Sequence, residues 1–483
     1  MDRLPVYGKS GQKIAVRGGS PITLCDAPDL LGGSWGDDGN IVAALTTEAK
    51  LWRVAASGGK PVAVIDETAQ IARFLWPQVL PGAAAVILSN VQLTPDAGSV
   101  EVLTLRDGRR RTLVRNGIFG RYLPSGHLVY VNQGSLYAQR FDLDTLQVSG
   151  SPVLAARDIE FSPTFGYAQF DVSGDGTLVY RRRGGSGQFT VQKLSQDGAV
   201  ETLGALGTWL WPSLSADGRR VMVARMESGE SRIWMLSLAE KTAPEPITPV
   251  GAGAASLWLP DGETVLFQGK GTLQWFRWRK GGEPRTLLSG GVYVPSSVSP
   301  DGKRLAYATL HPSTHFDLWT VPLYWEGEEL RAGTPEPFLR TPAVETYPKF
   351  SPDGQWMAYT SLQSGSYEVY VRPFGREGTA VQVSKAGGRL PVWLRGGREM
   401  MYETSDHRLM KVGWQVRDGV FVAGEPELWS STRLGDTGVL PNFDATDGHV
   451  VALLPPVGTR QKRNQVTFRF HFFEELERQL ATQ

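Results

Sequence analysis

The residues most able to do chemistry are few, and their spacing argues against most of it. Gly32-Gly33-Ser34-Trp35-Gly36 matches the Gly-x-Ser-x-Gly pattern of a serine nucleophile. That pattern works only where a strand turns sharply into a helix. Here Asp37-Asp38-Gly39 follows, a turn signal leading into another strand, so Ser34 reads as a strand residue. The six histidines, His127, His311, His315, His407, His449 and His471, are scattered along the chain. His311 and His315 have the spacing of a helical zinc pair, but Pro312 lies between them and no His-Glu-x-x-His accompanies them. Asp171-Val172-Ser173-Gly174-Asp175-Gly176 has calcium-loop character without the distant bidentate Glu, and reads as a turn. Cys25 is the single cysteine, so the chain holds neither an internal disulfide nor a Cys-based zinc cluster. No catalytic residue, cofactor or metal is expected.

Charge narrows the partners. Lys+Arg total 50 and Asp+Glu 49, a net charge of +1 that gives no field to attract nucleic acid. The basic runs Arg109-Arg110-Arg111, Arg181-Arg182-Arg183 and Arg460-Gln461-Lys462-Arg463 then read as solvated loops. No apolar stretch is long enough to span a bilayer, and Met1-Asp2-Arg3-Leu4-Pro5 lacks a signal peptide's apolar core. No membrane span is expected, and the chain reads as not self-exporting. With 56 glycines, 31 prolines and 15 tryptophans among 483 residues, many turns joining short aromatic-rich strands fit best.

The element that recurs is a strand, an Asp-Gly turn and a second strand. Val294 to Tyr307 and Tyr347 to Tyr359 state it most clearly, with Ser299-Pro300-Asp301-Gly302 and Ser351-Pro352-Asp353-Gly354 at the turns. A third strand follows, as in Leu318-Trp319-Thr320-Val321 and Val369-Tyr370-Val371, and a fourth closes the unit, as in Glu336-Pro337-Phe338-Leu339. The turn glycine recurs at Gly39, Gly82, Gly126, Gly176, Gly218, Gly262, Gly302, Gly354, Gly397 and Gly448, a mean step of about 45 residues, within the propeller-blade range. The expected fold is therefore an all-β propeller of about ten four-stranded blades. Two rings are expected, over residues 1–205 and 206–483, the second with six blades and a short C-terminal helix around Phe472 to Leu480; one large ring is the alternative.

Shortly before most turns stands an apolar residue followed by proline, at Trp76, Trp211, Val294, Tyr347, Leu390 and Leu440. Proline donates no ladder hydrogen bond and suits the first residue of a strand. The innermost strands would carry these pairs to one mouth of a central channel, which makes Trp76, Trp211 and Tyr347 the candidate recognition residues. The apolar residue four before the glycine, such as Trp35, Tyr122, Leu214, Trp258, Val298, Phe350 or Trp393, is expected to pack between blades.

With Ser-Pro-Asp-Gly followed by Leu305-Ala306-Tyr307 and Met357-Ala358-Tyr359, the chain resembles the TolB-type propeller repeat of bacteria. Residues 18–35, Trp76 to Gly82, Gly134 to Phe141 and Phe472-Phe473-Glu474-Glu475-Leu476 resemble the extracytoplasmic sensor region of some bacterial receptor serine/threonine kinases, notably acidobacterial ones. The resemblance implies a sensor module and an extracytoplasmic place. It implies no kinase activity, because the chain has no Gly-rich nucleotide loop with its lysine, no His-Arg-Asp and no Asp-Phe-Gly. Lys13 to Val16 and Pro21 to Leu24 read as the third and fourth strands of a blade, and Val466 to Phe472 as the third strand of the last copy. Pairing these ends would close a ring; a chain continuing beyond the given residues is the alternative. The expected function is non-catalytic recognition of a protein or small-molecule ligand. The alternative is a hydrolase or lyase with its site at the channel mouth.

Overall fold

The computed structural model describes residues 10–27, 30–46, 49–66, 72–92, 98–162, 166–182, 188–227, 230–240, 242–280, 283–311, 315–341, 343–394, 396, 398–456 and 466–481. Its smallest recurring unit is the turn. Nine of the ten turn glycines have φ between 66° and 85°, a region closed to most side chains, while Gly397 lies outside the described residues. The serine before the turn completes it. Ser299 Oγ donates to Asp301 Oδ1 at 2.6 Å and accepts from Arg304 N at 2.9 Å, while Gly302 N donates to Ser299 O at 2.8 Å. Ser351 repeats this with Asp353 at 2.5 Å and Trp356 N at 3.0 Å, and Ser215 with Asp217 at 2.5 Å and Arg220 N at 3.0 Å. Each serine thus satisfies the first backbone donor of the second strand and holds the aspartate that caps the turn.

Proline does not begin the first strands: Pro77, Pro212, Pro295, Pro348 and Pro391 sit inside them, and Pro441 precedes Phe443–Thr446. Trp76, Trp211, Tyr347 and Leu390, each followed by proline, have φ of 55° to 57°, and the strand register jumps across each pair. These are β-bulges, where a residue leaves the ladder and a missing N–H costs nothing. Left-handed backbone at a bulky residue is strained, so the packing around each side chain must enforce it.

The chain forms two compact units, residues 1–186 with 462–483, and residues 187–461. The first holds three four-stranded antiparallel sheets, begun by Gly33–Trp35, Ala72–Val79 and Ile118–Leu123, and a three-stranded sheet of Phe170–Val172, Leu178–Arg181 and Val466–Arg469. Ser10–Lys13 pairs only with Ile22–Asp26 among the described residues. The helix Phe472–Ala481 buries Phe472 and Leu476 against Leu123, Val129, Leu136 and Leu178.

The second unit holds six sheets of four or more strands. Their first strands are Trp209–Leu214, Ser256–Trp258, Tyr293–Val298, Glu345–Phe350, Arg389–Leu394 and Phe443–Thr446. Each touches the next, and Phe443–Thr446 touches Trp209–Leu214, so the six form a closed cycle, the arrangement of a propeller. Hydrogen bonds stitch neighbouring sheets together. Trp258 Nε1 donates to Ser213 O at 3.3 Å, Trp393 Nε1 to Lys349 O at 2.9 Å, and Phe350 N to Ser297 Oγ at 3.1 Å. The aromatic residue before the turn is an inter-sheet residue there.

How the cycle closes corrects two expectations. Phe189–Leu194 pairs with His449–Leu454, so residues expected in the first ring complete the last sheet of the second unit. Val466–Arg469, expected beside the N-terminal strands or as the third strand of the last copy, pairs instead with Leu178–Arg181. The copies marked by Gly176 and Gly448 have exchanged third strands. The boundary between the units consequently falls at 186/187 rather than 205/206, and 462–483 belongs to the first unit. One unit is inserted into the chain of the other, and each exchanged strand fills the edge that the insertion leaves open.

Candidate functional site

The cycle of first strands surrounds a small cavity that is partly open to solvent. All six contribute to its wall, with Trp211, Ser256, Ser296, Tyr347, Leu390 and Phe443 one from each. The bulges decide what faces inward. Trp211 and Tyr347, both left-handed, bring their ring centroids within 5.8 Å. Trp211 N donates to Pro441 O at 3.0 Å, and the Tyr347 hydroxyl donates to Val439 O at 2.6 Å. Only 7 % of Trp211 and 8 % of Tyr347 is exposed, so the rings form a wall rather than a protruding rim.

Two lining side chains carry charge, Lys349 and Asp444. Burial holds the Lys349 ammonium below the usual lysine range, and the Asp444 carboxylate opposes that shift. Asp444 is itself anchored, accepting from Leu214 N at 2.8 Å through Oδ2 and from Ala445 N at 3.0 Å through Oδ1. Ser256 lies in the wall with its Oγ buried and without a hydrogen-bond partner among the described residues. The wall is thus part aromatic, part hydroxyl, with one cation and one anion.

A buried polar network supports the wall at Leu390. Its neighbour Arg389 donates through Nε to Glu403 Oε2 at 2.6 Å, while Glu403 Oε1 meets His407 Nδ1 at 2.5 Å and accepts from Asn442 Nδ2 at 2.6 Å. Burial alone would raise the Glu403 carboxyl, but the His407 hydrogen bond and the Arg389 charge outweigh it and hold it below the usual range. Asn442 follows Pro441 and also donates to Gly435 O at 2.9 Å, so the network ties 435–442 to the Arg389–Leu394 strand.

Of the three candidate residues, Trp211 and Tyr347 lie together on this wall, and Trp76 belongs to the other unit. There Trp76 packs edge-on against Phe119 at 5.7 Å and Tyr167 at 5.8 Å, and its carbonyl accepts from Arg121 at 3.0 Å. Ser34 stands on a strand, and its Oγ accepts from Val79 N at 2.9 Å. Asp175 accepts from Ser173 at a turn. His311 opposes His315 in backbone register across a hairpin, and the side chain of His315 lies outside the described residues. Arg111 donates to Thr145 O at 2.9 Å, and Arg110 pairs with Glu101 at 2.7 Å. Arg183, Arg460 and Arg463 lie outside the described residues. Cys25 is buried. Among the described residues no three His, Cys, Asp or Glu side chains are grouped to hold a metal, and no helix is long and apolar enough to cross a membrane.

Sequence reasoning missed Lys349, Asp444 and Ser256. Lys349 follows directly on Tyr347-Pro348, and Ser256 stands six residues before its turn glycine, where Pro212, Pro348 and Pro391 stand in three other copies, so both left a trace. Asp444 left none, because its inward aim depends on the hydrogen bond to Leu214 on another strand.

No protein-family model matches the chain, and no curated protein sequence matches it. Solved structures do. The structure of a putative TolB from Agrobacterium tumefaciens is 19 % identical with a TM-score of 0.44, covering 56 % of this chain and 99 % of that one. TolB from Acinetobacter baumannii is 16 % identical, TM-score 0.36, covering 74 % and 80 %. The β-propeller domain of the Trilobed protease from Pyrococcus furiosus is 11 % identical, TM-score 0.30, covering 76 % and 97 %. The fold assignment itself rests on the strand pairing and the closed cycle described above.

Proposed function

We propose that this chain is a non-catalytic recognition module in which the 187–461 unit binds a small ligand within its axial cavity. The observation that supports this reading is the cavity wall, contributed by six strands and rigidified by bulges and the Glu403 network. A pre-formed hollow that sets aromatic and aliphatic side chains beside aimed polar groups is a binding geometry. Catalysis would need a nucleophile or acid–base pair in mutual reach, and the two charged lining groups, Lys349 and Asp444, lie in a wall otherwise of Ser, Pro and apolar side chains. A sensor role, as the resemblance to kinase-linked propeller regions implies, would use such binding to report a ligand.

The reading is tested with the purified full chain. A thermal-shift screen of small molecules should give hits that disappear in Ser296→Trp, which fills the cavity. Ester, peptide and glycoside substrates should show no turnover that Lys349→Met or Ser296→Trp removes. Sustained turnover lost in these variants would overturn the non-catalytic reading.

A further inference from the structure

The six first strands of the 187–461 unit follow one another in a closed cycle, so the first of them, Trp209–Leu214, stands opposite the fourth, Glu345–Phe350. Yet the ring centroids of Trp211 and Tyr347, one on each of these strands, lie 5.8 Å apart. Rings from opposite members of such a cycle meet only by reaching across its axis. Their backbones send them there, because φ of 56° at Trp211 and 55° at Tyr347 takes each residue out of its ladder at a bulge.

The same level of the cycle is filled all round. Trp211, Val294, Tyr347, Leu390 and Leu440 each precede a proline, and Ala255 holds the corresponding place before Ser256. These six, one from each copy of the repeat, belong to or pack against a single apolar cluster. The pair at its centre is pinned, the Tyr347 hydroxyl to Val439 O and Trp211 N to Pro441 O, and both rings are buried. Side chains held by a bulge, a hydrogen bond and close packing form a fixture rather than a gate.

The hollow lies on one side of this fixture. Its lining continues from the pair toward the Asp-Gly turns with Ser213, Lys349, Val392 and Asp444. Among the described residues, no lining residue precedes Trp211, Tyr347, Leu390 or Pro441 in its own copy. Since the hollow is partly open to solvent, its opening lies at the turn end.

We infer that Trp211 and Tyr347 plug the axis of this unit, making its channel a well entered only from the face that carries the Asp-Gly turns. The inference rests on the reading of this unit as a recognition module and fixes the face on which it is approached. What binds is then a group that ends inside the well, and not an extended chain threaded through the ring.

The test places a thiol in the well and asks from which end it is reached. Ser296→Cys in the full chain is treated with methanethiosulfonate ethylammonium well below the melting temperature of each variant, and modification is followed by peptide mass. Lys349→Trp, which narrows the well on the turn side, should slow the reaction about tenfold or more, the remainder arising from local opening. Adding Trp211→Ala, which removes half of the plug, should bring the rate back to within about threefold of its starting value. Should Trp211→Ala fail to fold, Tyr347→Ala takes its place, and if both fail the Lys349→Trp comparison decides alone. A rate that Lys349→Trp leaves within about twofold reveals a second entrance and overturns the inference. So does a rate that stays slow once the plug is removed, or a thiol at this place that never reacts. If thermal-shift hits vanish in Ser296→Trp while the thiol reports a second entrance, recognition stands and the plug falls. If the thiol behaves as expected and no small molecule binds, the well stands and the recognition reading falls.

Discussion

Arg389 and Glu403 face each other across adjacent strands, Nε to Oε2 at 2.6 Å, with the Glu403 side chain fully buried. The pair fixes the backbone beside Leu390 and, through Asn442, the segment that runs into the last first strand. Removing one partner leaves the other charge buried and unpaired. Glu403→Gln should therefore destabilise the folded chain by about 3–5 kcal/mol, read from denaturant unfolding. A loss below about 1 kcal/mol would show that Arg389 finds water or another acceptor instead.

Glu345 makes stability depend on pH in an uncommon direction. Burial raises its carboxyl from 4.5 to about 7, against the opposing Thr341 hydrogen bond and with a further upward push from Asp317. The folded chain thus keeps this proton to higher pH than the unfolded chain does. Its contribution is undiminished below about 4.5, declines as pH rises from there to about 7, and levels off above, a loss of about 3 kcal/mol. Glu345→Gln should flatten the difference in unfolding free energy between pH 5 and pH 8 measured against the parent chain, about those two values. Parallel profiles for the two proteins would mean that Glu345 is ionised in the folded state at no cost.

Ser351 tests the turn. Its hydroxyl is buried, donates to Asp353 and accepts from Trp356 N at 3.0 Å. Ser351→Ala strands that N–H and should cost about 1–3 kcal/mol, whereas Ser351→Thr, which keeps the oxygen, should cost less. Equal losses for the two would assign the effect to side-chain volume.

Phe472 anchors the C-terminal helix. It is fully buried with Leu476 against Leu123, Val129, Leu136 and Leu178, and its N–H donates to Gly176 O at 2.9 Å. Phe472→Ala should cost about 3–5 kcal/mol and speed amide exchange in the strands Leu178–Arg181 and His127–Asn132. Unchanged exchange there would detach the helix from the core of that unit.

These four side chains mark where local sequence carries structure and where it does not. Ser351 and its turn are written within six consecutive residues, and the same word recurs at Ser215 and Ser299, so the period and the sheets can be read directly. Tyr347 and Trp211 stood out as candidates for a channel mouth because a bulky residue before proline recurs at a similar distance from the turn. Their left-handed φ was not legible, since it is imposed by packing from neighbouring strands. The destinations of Phe189–Leu194 and Val466–Arg469 were illegible for a related reason. Both are ordinary third strands in pattern, and nothing within either says which exposed edge, over two hundred residues away, it will join. Ser256 shows the remaining case, a site residue visible only as a departure from the repeat.

The exchanged strands also set a schedule for biosynthesis. Thr190 cannot meet Leu454 until more than 260 further residues have been translated, and Leu178–Arg181 waits longer still for Val466–Arg469. Through that interval the nascent polypeptide carries two unfinished ladders with open edges, the feature most prone to wrong pairing between chains. Such late closure leaves the edges of Leu178–Arg181 and Phe189–Leu194 open until His449–Leu454 and Val466–Arg469 emerge.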